Sequence, residues 1–317
     1  MSKPAFWNNK KRYYDLKSYW RNRFGCNVYK VPLDAGFTCP NRDGTVATGG
    51  CIYCDGRGSK LRQKGLLPSV AEQIQQGKTF YHESRLAEKY VAYFQTFTNT
   101  YGSYDRLKKI YEEALSQQDV IGLSIGTRPD CVPEEIMALL RTYAERYHVW
   151  LEFGLQSIHD RTLKAINRGH SRDIFLDAID RTAGGKINIC VHIIVGLPGE
   201  THGDILETAK ILSALPIQGI KIHALLALKG TMLGSLYETG RISMMSKEDY
   251  VRTVCDILEI LPQGLVIQRL TADGYRDIFL SPFWATRKMD VLNAIDRELE
   301  RRNTYQGRFY QGIDGGA

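Results

Sequence analysis

The sequence lacks the long hydrophobic segments that membrane proteins and secreted proteins carry. No signal-like apolar stretch opens the chain, and no uncharged apolar run is long enough to cross a bilayer. Cysteine is also scarce, with seven residues among 317. This excludes a disulfide framework, so we expect a reducing, cytoplasmic compartment. The 43% of hydrophobic residues is ample for the core of a soluble enzyme.

Acidic residues are nearly absent from the first thirty positions. Residues 1–30 hold eight lysines and arginines against Asp15 alone, and eight minus one gives +7, the formal net charge of the whole chain. The same segment contains eight aromatic residues: Phe6, Trp7, Tyr13, Tyr14, Tyr19, Trp20, Phe24 and Tyr29. Basic groups interleaved with aromatic rings neutralise phosphates and stack on bases, which favours a nucleic-acid contact. In the alternative interpretation, the rings pack the segment onto the body and the cations are only solvated. A second basic run, Arg57, Lys60, Arg62 and Lys64, would extend the same surface.

The body of the chain alternates strand-like and helical segments. Short apolar runs predict seven strands, over 28–34, 90–97, 120–128, 148–157, 187–197, 219–228 and 265–272. Amphipathic stretches predict helices over 69–79, 103–117, 133–147, 172–183, 203–214, 246–261 and 289–302. Ser69 with Glu72 and Ser246 with Asp249 have the spacing of capping boxes, and Pro133 suits a first helical turn.

The predicted strands are rich in Val, Ile and Leu without strict alternation, which is typical of strands buried on both faces of a parallel sheet. With crossover helices between them, they predict an α/β fold, specifically a whole or partial β/α barrel. The functional residues of such barrels lie at the carboxyl ends of the strands. In this sequence, polar residues occur at those ends in nearly every predicted repeat.

Three cysteines, Cys39, Cys51 and Cys54, lie in the loop that follows the first predicted strand, GFTCPNRDGTVATGGCIYC. Thiolates favour iron-sulfur clusters or zinc over hard cations. Three ligands without a fourth at a matching spacing suit an iron-sulfur cluster with one iron free to bind something else. In the alternative, Cys26 is a fourth ligand of a closed zinc site in an RNA-binding protein without catalysis.

The chain resembles the radical S-adenosylmethionine (SAM) superfamily, and more narrowly the YtqA/YhcC-type proteins related to the catalytic subunit of elongator. The resemblance spans residues 28–310 and rests on the cysteine loop and on YFQTFTNTYGS, SIGTRPDC, LEFGLQSIHDRTLKAINRGH, HIIVGLPGE and KIHALLALKGT. The first cysteine gap holds eleven residues where the superfamily at large has three, which is similar to the longer loop of this subgroup.

The resemblance implies a partial (β/α)6-type barrel and a [4Fe-4S] cluster held by Cys39, Cys51 and Cys54. It further implies that SAM binds the free iron and is cleaved by reduction to a 5′-deoxyadenosyl radical. By their place in the pattern, the residues expected near SAM are Gln95, Asn99, Ser124, Arg128, Glu152, Gln156, Gly196 and Gly199. In the alternative, Arg128 pairs with Asp130, Gln156 caps a helix, and the glycines only form turns.

Three further residues are candidates for binding the substrate. Lys229 and Arg269 either meet a carboxylate or phosphate of the substrate or pair with acids at the barrel rim. His223 lies in an apolar strand, where a histidine is either a ligand or a satisfied barrel residue.

Proteins of the resembled type are associated with uridine modification, so the resemblance implies a tRNA partner and a reaction at the C5 side chain of its wobble uridine. A flavodoxin or a ferredoxin is the expected electron donor. Chemistry on a peptide or a small metabolite is the alternative. We expect three parts in the chain: a basic and aromatic extension (1–27), the barrel (28–275) and a C-terminal extension (276–317).

Overall fold

The computed structural model describes residues 4, 7, 10–56, 67–272 and 277–312. The second basic run, Arg57 to Lys64, lies outside the described residues. The chain forms nine strands in these ranges: β1 (Val28–Leu33), β2 (Lys89–Phe94), β3 (Val120–Thr127), β4 (His148–Gln156), β5 (Asn188–Val195), β6 (Gly219–Ala224), β7 (Ala227–Leu228), β8 (Val266–Arg269) and β9 (Phe279–Ser281).

Seven of these strands form one parallel sheet in the order β1-β2-β3-β4-β5-β6-β8. All seven predicted strands are therefore confirmed, with ends that differ by at most four residues. The largest difference is at β6, where the predicted end at 228 is wrong. The chain leaves the sheet after Ala224, and its next residues form β7, which pairs antiparallel with β9.

Ten α-helices occur in the described ranges: α1 (Leu16–Phe24), α2 (Val70–Arg85), α3 (Tyr104–Leu115), α4 (Glu134–Ala144), α5 (Asp160–Ala165), α6 (Arg172–Thr182), α7 (His202–Ser213), α8 (Met232–Glu238), α9 (Lys247–Ile260) and α10 (Lys288–Arg301). The seven predicted helices are confirmed, whereas α1, α5 and α8 are too short for an apolar period to show in the sequence. Ser69 and Glu72 form a complete capping box, Ser246 accepts the N–H of Asp249, and Pro133 stands at the N-cap of α4. None of the described helices has the length and apolar character needed to cross a bilayer.

The lowest layer inside the curled sheet is apolar. It is covered by the amino-terminal segment, which comprises Trp7 and residues 10–24. Side chains from the amino ends of the strands form this layer: Val28, Val91, Trp150, Cys190 and Val266. Trp7, Tyr14 and Trp20 pack against them and are almost fully buried. α1 contacts both edge strands of the sheet, β1 and β8. The packing interpretation is therefore correct for these rings, and burial makes them unavailable for stacking on bases.

The middle layer is ionic and centres on Glu152, which has no exposed surface. Its carboxylate accepts hydrogen bonds from Lys30 Nζ at 2.7 Å, from His192 Nε2 at 2.8 Å, from Lys221 Nζ and from Ser124 Oγ. A carboxylate offers about four lone-pair sites, so its acceptor capacity is filled. These four donors lie on β1, β5, β6 and β3, and the contacts therefore cross the barrel interior.

Lys30 also joins the two edges of the sheet. Its Nζ donates to Gln268 Oε1 of β8 at 2.6 Å, although β1 and β8 stand at opposite ends of the strand order. The sheet is therefore a curled partial barrel, as the sequence predicts, with seven strands. Burial lowers the pKa of Lys30 to about 8, although the attraction of Glu152 opposes this shift.

Replacing the Glu152 carboxylate tests how far this ionic layer stabilises the fold. Burial alone would raise the pKa of Glu152, but Lys221, Lys30 and His192 outweigh it and hold the pKa well below its ordinary value. Glu152→Gln leaves the two lysines without their counter-charge, so we expect a loss of about 3–5 kcal/mol in the free energy of unfolding at pH 7.

The pH dependence of this loss has a defined sign. A carboxyl whose pKa is lowered by folding contributes stability above its ordinary pKa of 4.5 and loses it as the pH falls. The difference between the parent chain and Glu152→Gln should therefore shrink below about pH 4.5. Urea unfolding of metal-free chains measures it, and Glu145→Gln, in an exposed pair with Lys186, is the control. A difference independent of pH would contradict this assignment.

Candidate metal and cofactor site

The loop between β1 and α2 brings the three predicted cysteines to the open end of the barrel. Two short turns shape it, in which the N–H of Arg42 donates to the carbonyl of Cys39 at 2.8 Å and the N–H of Cys54 to that of Cys51 at 2.9 Å. Ile52 joins the loop to the barrel, because its N–H donates to the carbonyl of Ile166 and its carbonyl accepts the N–H of Leu233. The CxxC half of the loop is thus fixed from both sides.

Nitrogen donors surround two of the three sulfur atoms. Arg168 Nη1 and Asn41 Nδ2 each lie 3.6 Å from Cys51 Sγ, and Arg42 Nη1 lies 3.5 Å from Cys54 Sγ. Hydrogen bonds and positive charge stabilise thiolates, which are the metal-binding form of cysteine. Burial raises the pKa of the Cys54 thiol, and Arg42 opposes that shift.

Arg168 is held in place by the strand beneath it. Its Nε and Nη2 both donate to the carbonyl of Gly154, near the end of β4. A Cβ at Gly154 would lie 2.8 Å from Arg168 Nη2, so a side chain there would displace the guanidinium from this position. The guanidinium can therefore reach the sulfur of Cys51 with little freedom to turn away.

No fourth cysteine completes the set among the described residues that line the cavity at this end. Cys26 precedes β1, whereas Cys39 follows it, and the six residues of β1 span about 16 Å. Cys131 is buried, which raises the pKa of its thiol to about 12. Three thiolates supported by cationic donors fit an iron-sulfur cluster with one open position, and Cys26 is too distant to close a zinc site.

A cavity of about 370 Å³ lies beneath the loop at the carboxyl ends of the strands. It is lined by all three loop cysteines and by six of the other predicted residues: Gln95, Arg128, Glu152, Gln156, His223 and Arg269. Five predicted residues do not line it: Asn99, Ser124, Gly196, Gly199 and Lys229. No ligand contact tests these assignments, so the SAM and substrate roles remain predictions.

Asn99 and Ser124 have structural partners instead. Asn99 Nδ2 donates to the carbonyls of Phe94 at 3.0 Å and of Gly126 at 2.8 Å, and so ties the ends of β2 and β3 together. Ser124 donates to Glu152 in the ionic layer. Glu152 has four donors already, so a contact with SAM would have to displace one of them.

Arg128 and Gln156 reach the cavity by different means. Arg128 pairs with Asp130 through two hydrogen bonds of 2.9 and 2.7 Å, as the alternative interpretation has it, and Nη1 donates to the carbonyl of Arg168. Gln156 adopts a φ of +80°, and the register with β5 shifts between Gly154 and Gln156. Such an irregularity re-aims a side chain, here into the cavity.

The glycines and Lys229 lie outside the cavity. Gly196 and Gly199 have φ values of +93° and +79° and form the turn after β5, where the N–H of Glu200 donates to the carbonyl of Leu197. Lys229 is exposed, and its backbone N–H donates to Ile278 beside the β7–β9 pair.

Two histidines line the cavity, His192 of the ionic layer and the neighbouring His223. The rings of His192 and His223 lie 5.2 Å apart, and His192 is bound to Glu152. Burial lowers the pKa of His192 to about 4 and that of His223 below its ordinary value, so both are neutral near pH 7. Since a carboxylate only accepts, Nε2 of His192 carries the proton. Nε2 of His223 is buried without a hydrogen-bond partner among the described residues.

The chain matches two family models and has close relatives over nearly its whole length. Residues 42–212, more than half of the chain, match the Radical SAM superfamily, and residues 217–301 match the Radical SAM C-terminal domain. The chain is 43% identical to the uncharacterized protein YtqA of Bacillus subtilis (strain 168), over 97% of this chain and 95% of YtqA. It is 37% identical to protein YhcC of Escherichia coli (strain K12), over 87% of this chain and 89% of YhcC.

A solved structure shares the fold. The archaeal Elp3 of Methanocaldococcus infernus, with residues 1–46 deleted, matches with a TM-score of 0.60 at 18% identity and covers 89% of this chain and 64% of that chain. The family matches, the identity to YtqA and the cysteine trio at the mouth of the partial barrel agree with one another. The chain therefore belongs to the radical SAM superfamily, whose members are enzymes that use a [4Fe-4S] cluster and SAM.

Proposed function

We propose that this radical SAM enzyme modifies RNA, and more narrowly the C5 side chain of the wobble uridine of a tRNA. The observation that carries the proposal is that the cysteine loop, His223 and Arg269 line one cavity. A base that enters this cavity from the open end could reach both the cysteine loop and these two side chains. The uridine modification that the sequence resemblance implies and the excess of cations in residues 1–30 support RNA as the substrate.

When bound, the cluster and SAM supply a 5′-deoxyadenosyl radical by reductive cleavage. The chain's own residues position and shield the reactants. Arg168 and Asn41 orient Cys51, and Arg42 orients Cys54. Gln156 and Arg128 line the cavity together with the cysteines, and apolar Leu225, Leu226 and Leu228 help to exclude water there.

On the substrate side, the neutral His223 offers a hydrogen bond through its unsatisfied Nε2. Arg269 adds a fixed positive charge to the same wall of the cavity. A radical SAM enzyme requires a reductant, and we infer a flavodoxin or a ferredoxin in the cytoplasm that approaches the cysteine loop.

The tRNA assignment predicts a defined change in modified nucleosides. Mass spectrometry of tRNA from cells without the gene should show the loss of one C5-modified uridine and the gain of its precursor. The parent gene should restore the profile and Cys51→Ala should not, because Cys51 is a cluster ligand. Cys26→Ser, at the other end of the barrel, should restore it. An unchanged profile despite release of 5′-deoxyadenosine by the purified enzyme would favour a peptide or small-molecule substrate.

The donors to Cys51 predict a change in reduction potential. Arg168→Gln removes a positive charge and a hydrogen bond that stabilise the more negative, reduced cluster. Hydrogen bonds to charged groups are worth about 1.5–3 kcal/mol, so we expect at least a tenfold change in the one-electron equilibrium, about 59 mV toward lower potential. Arg168→Lys should shift less, since it keeps the charge.

A redox titration followed by electron paramagnetic resonance measures this potential, and iron content verifies cluster assembly. Arg161→Gln is the control, because Arg161 is exposed and pairs with Asp204 away from the sulfur atoms. Equal potentials for the parent enzyme and Arg168→Gln would show that the Arg168 contact has no electronic effect.

A further inference from the structure

The amino-terminal segment covers the end of the barrel opposite to the cysteine loop. Tyr19 Oη lies 3.1 Å from Nε2 of His148, the first residue of β4, and the carbonyl of Tyr14 accepts the N–H of Ile267 on β8. The last residue of β4, Gln156, lines the cavity. Eight steps along this strand span about 26 Å. A ligand at this closed end would therefore lie about 26 Å from the mouth of the cavity at Gln156.

The cations on this segment are exposed and uncompensated. Lys10, Lys17, Arg21 and Arg23 are exposed, and none of them has an ion pair within the described ranges of the chain. The carboxylate of Asp15 is engaged, since it caps α1 by accepting the N–H of Ser18 at 2.8 Å. Lys17 and Arg21, four residues apart on α1, lie on one face of the helix.

A cleft beside the segment adds to this charge. It has a volume of about 580 Å³ and lies between the segment and the chain around the end of α10. Lys10 and Arg308 line it with Lys11 and Arg12, against one acid, Glu300. Arg308 is exposed. We call the five exposed cations the closed-end surface: Lys10, Lys17, Arg21, Arg23 and Arg308.

The chemistry of this surface matches phosphates. Lysine and arginine that lack acidic partners bind the sugar-phosphate backbone with little regard to sequence. Trp7, Tyr14 and Trp20 have their faces buried in the barrel, so stacking on bases by these rings is excluded. An acidic electron-carrier protein would also be attracted here, but it must approach the cysteine loop at the opposite end.

We infer that the closed-end surface binds backbone phosphates of the same tRNA whose uridine enters the cavity. This inference rests on the proposed function. The closed-end surface and the mouth of the cavity lie about 26 Å apart along the barrel, so a small metabolite cannot occupy both, whereas a folded tRNA can extend from its anticodon loop around the barrel. The surface thereby selects a large RNA over an isolated loop.

Binding assays with matched variants test this inference. Fluorescence anisotropy with the reconstituted enzyme compares full-length tRNA from cells lacking the gene with its isolated anticodon stem-loop, over a series of salt concentrations. Lys17→Gln/Arg21→Gln removes two charges from the closed-end surface. Lys108→Gln/Lys109→Gln removes two exposed charges from α3 and is the control.

We expect the α1 variant to bind full-length tRNA about tenfold more weakly at low salt. The slope of log affinity against log salt should fall by about 2, near 0.9 for each lost phosphate contact. The control variant should bind as the parent enzyme does, and the stem-loop should bind all three enzymes equally. Lys10→Gln/Arg308→Gln provides a second test if the α1 variant has a lower melting temperature.

The binding data distinguish an error in this inference from an error in the proposed function. If the parent enzyme binds tRNA but the α1 and α3 variants weaken it equally or leave the salt slope unchanged, the closed-end inference is wrong and the proposed function stands. If the α1 variant also loses the stem-loop, the contact does not lie beyond the anticodon arm and the inference is again wrong. If the parent enzyme binds no RNA, the proposed function itself fails.

Discussion

The ionic contacts of Glu152 hold the open sheet in its curl. A seven-stranded parallel sheet that does not close into a barrel has two free edges, and here Lys30 of β1 bonds both to Glu152 in the middle strand and to Gln268 on the opposite edge. Lys221 reaches the same carboxylate from β6. Removing Glu152 would leave two buried lysines without a counter-charge, which is far more costly than the loss of a surface pair. The apolar layer below and the cavity above are thus set at fixed heights on either side of this layer.

The strands and most helices were predictable because burial on both faces leaves continuous Val, Ile and Leu runs, and caps mark the helix starts. The ionic layer was not predicted, although the residues are visible: Lys30 and Lys221 interrupt otherwise apolar strands. The sequence does not show whether the side chain of such a lysine points into or out of the barrel. Only the register of the neighbouring strands places it opposite Glu152. α1 was also missed, because its buried rings sit among cations that suggested a nucleic-acid surface.

In the candidate site too, the residues that follow a local sequence pattern were predictable, whereas those that depend on contacts between distant parts of the chain were not. Cys39, Cys51 and Cys54 were identified from their spacing, and the structure brings them to one cavity. Arg168 was not identified, since it lies 117 residues from Cys51. Its signal was its place in NRGH after β4, together with Gly154, whose missing Cβ makes room for the guanidinium. Asn99 and Ser124 were chosen for their positions at strand ends, where a polar side chain serves a ligand or a neighbouring strand equally well.

The two ends of the barrel carry different kinds of charge. At the open end, Arg42 and Arg168 lie against sulfur atoms and Arg128 against Asp130, so these cations are committed to internal partners. At the closed end, the cations of α1 face solvent and their accompanying rings are buried. A charge committed within the fold can tune a bound group but cannot attract a distant partner, whereas an uncompensated surface charge steers association from a distance. Within the described part of the chain, the exposed cations of α1 can therefore attract a polyanion from a distance although they lie away from the cysteine loop, which is the arrangement expected when only a small part of an extended polyanionic substrate reacts.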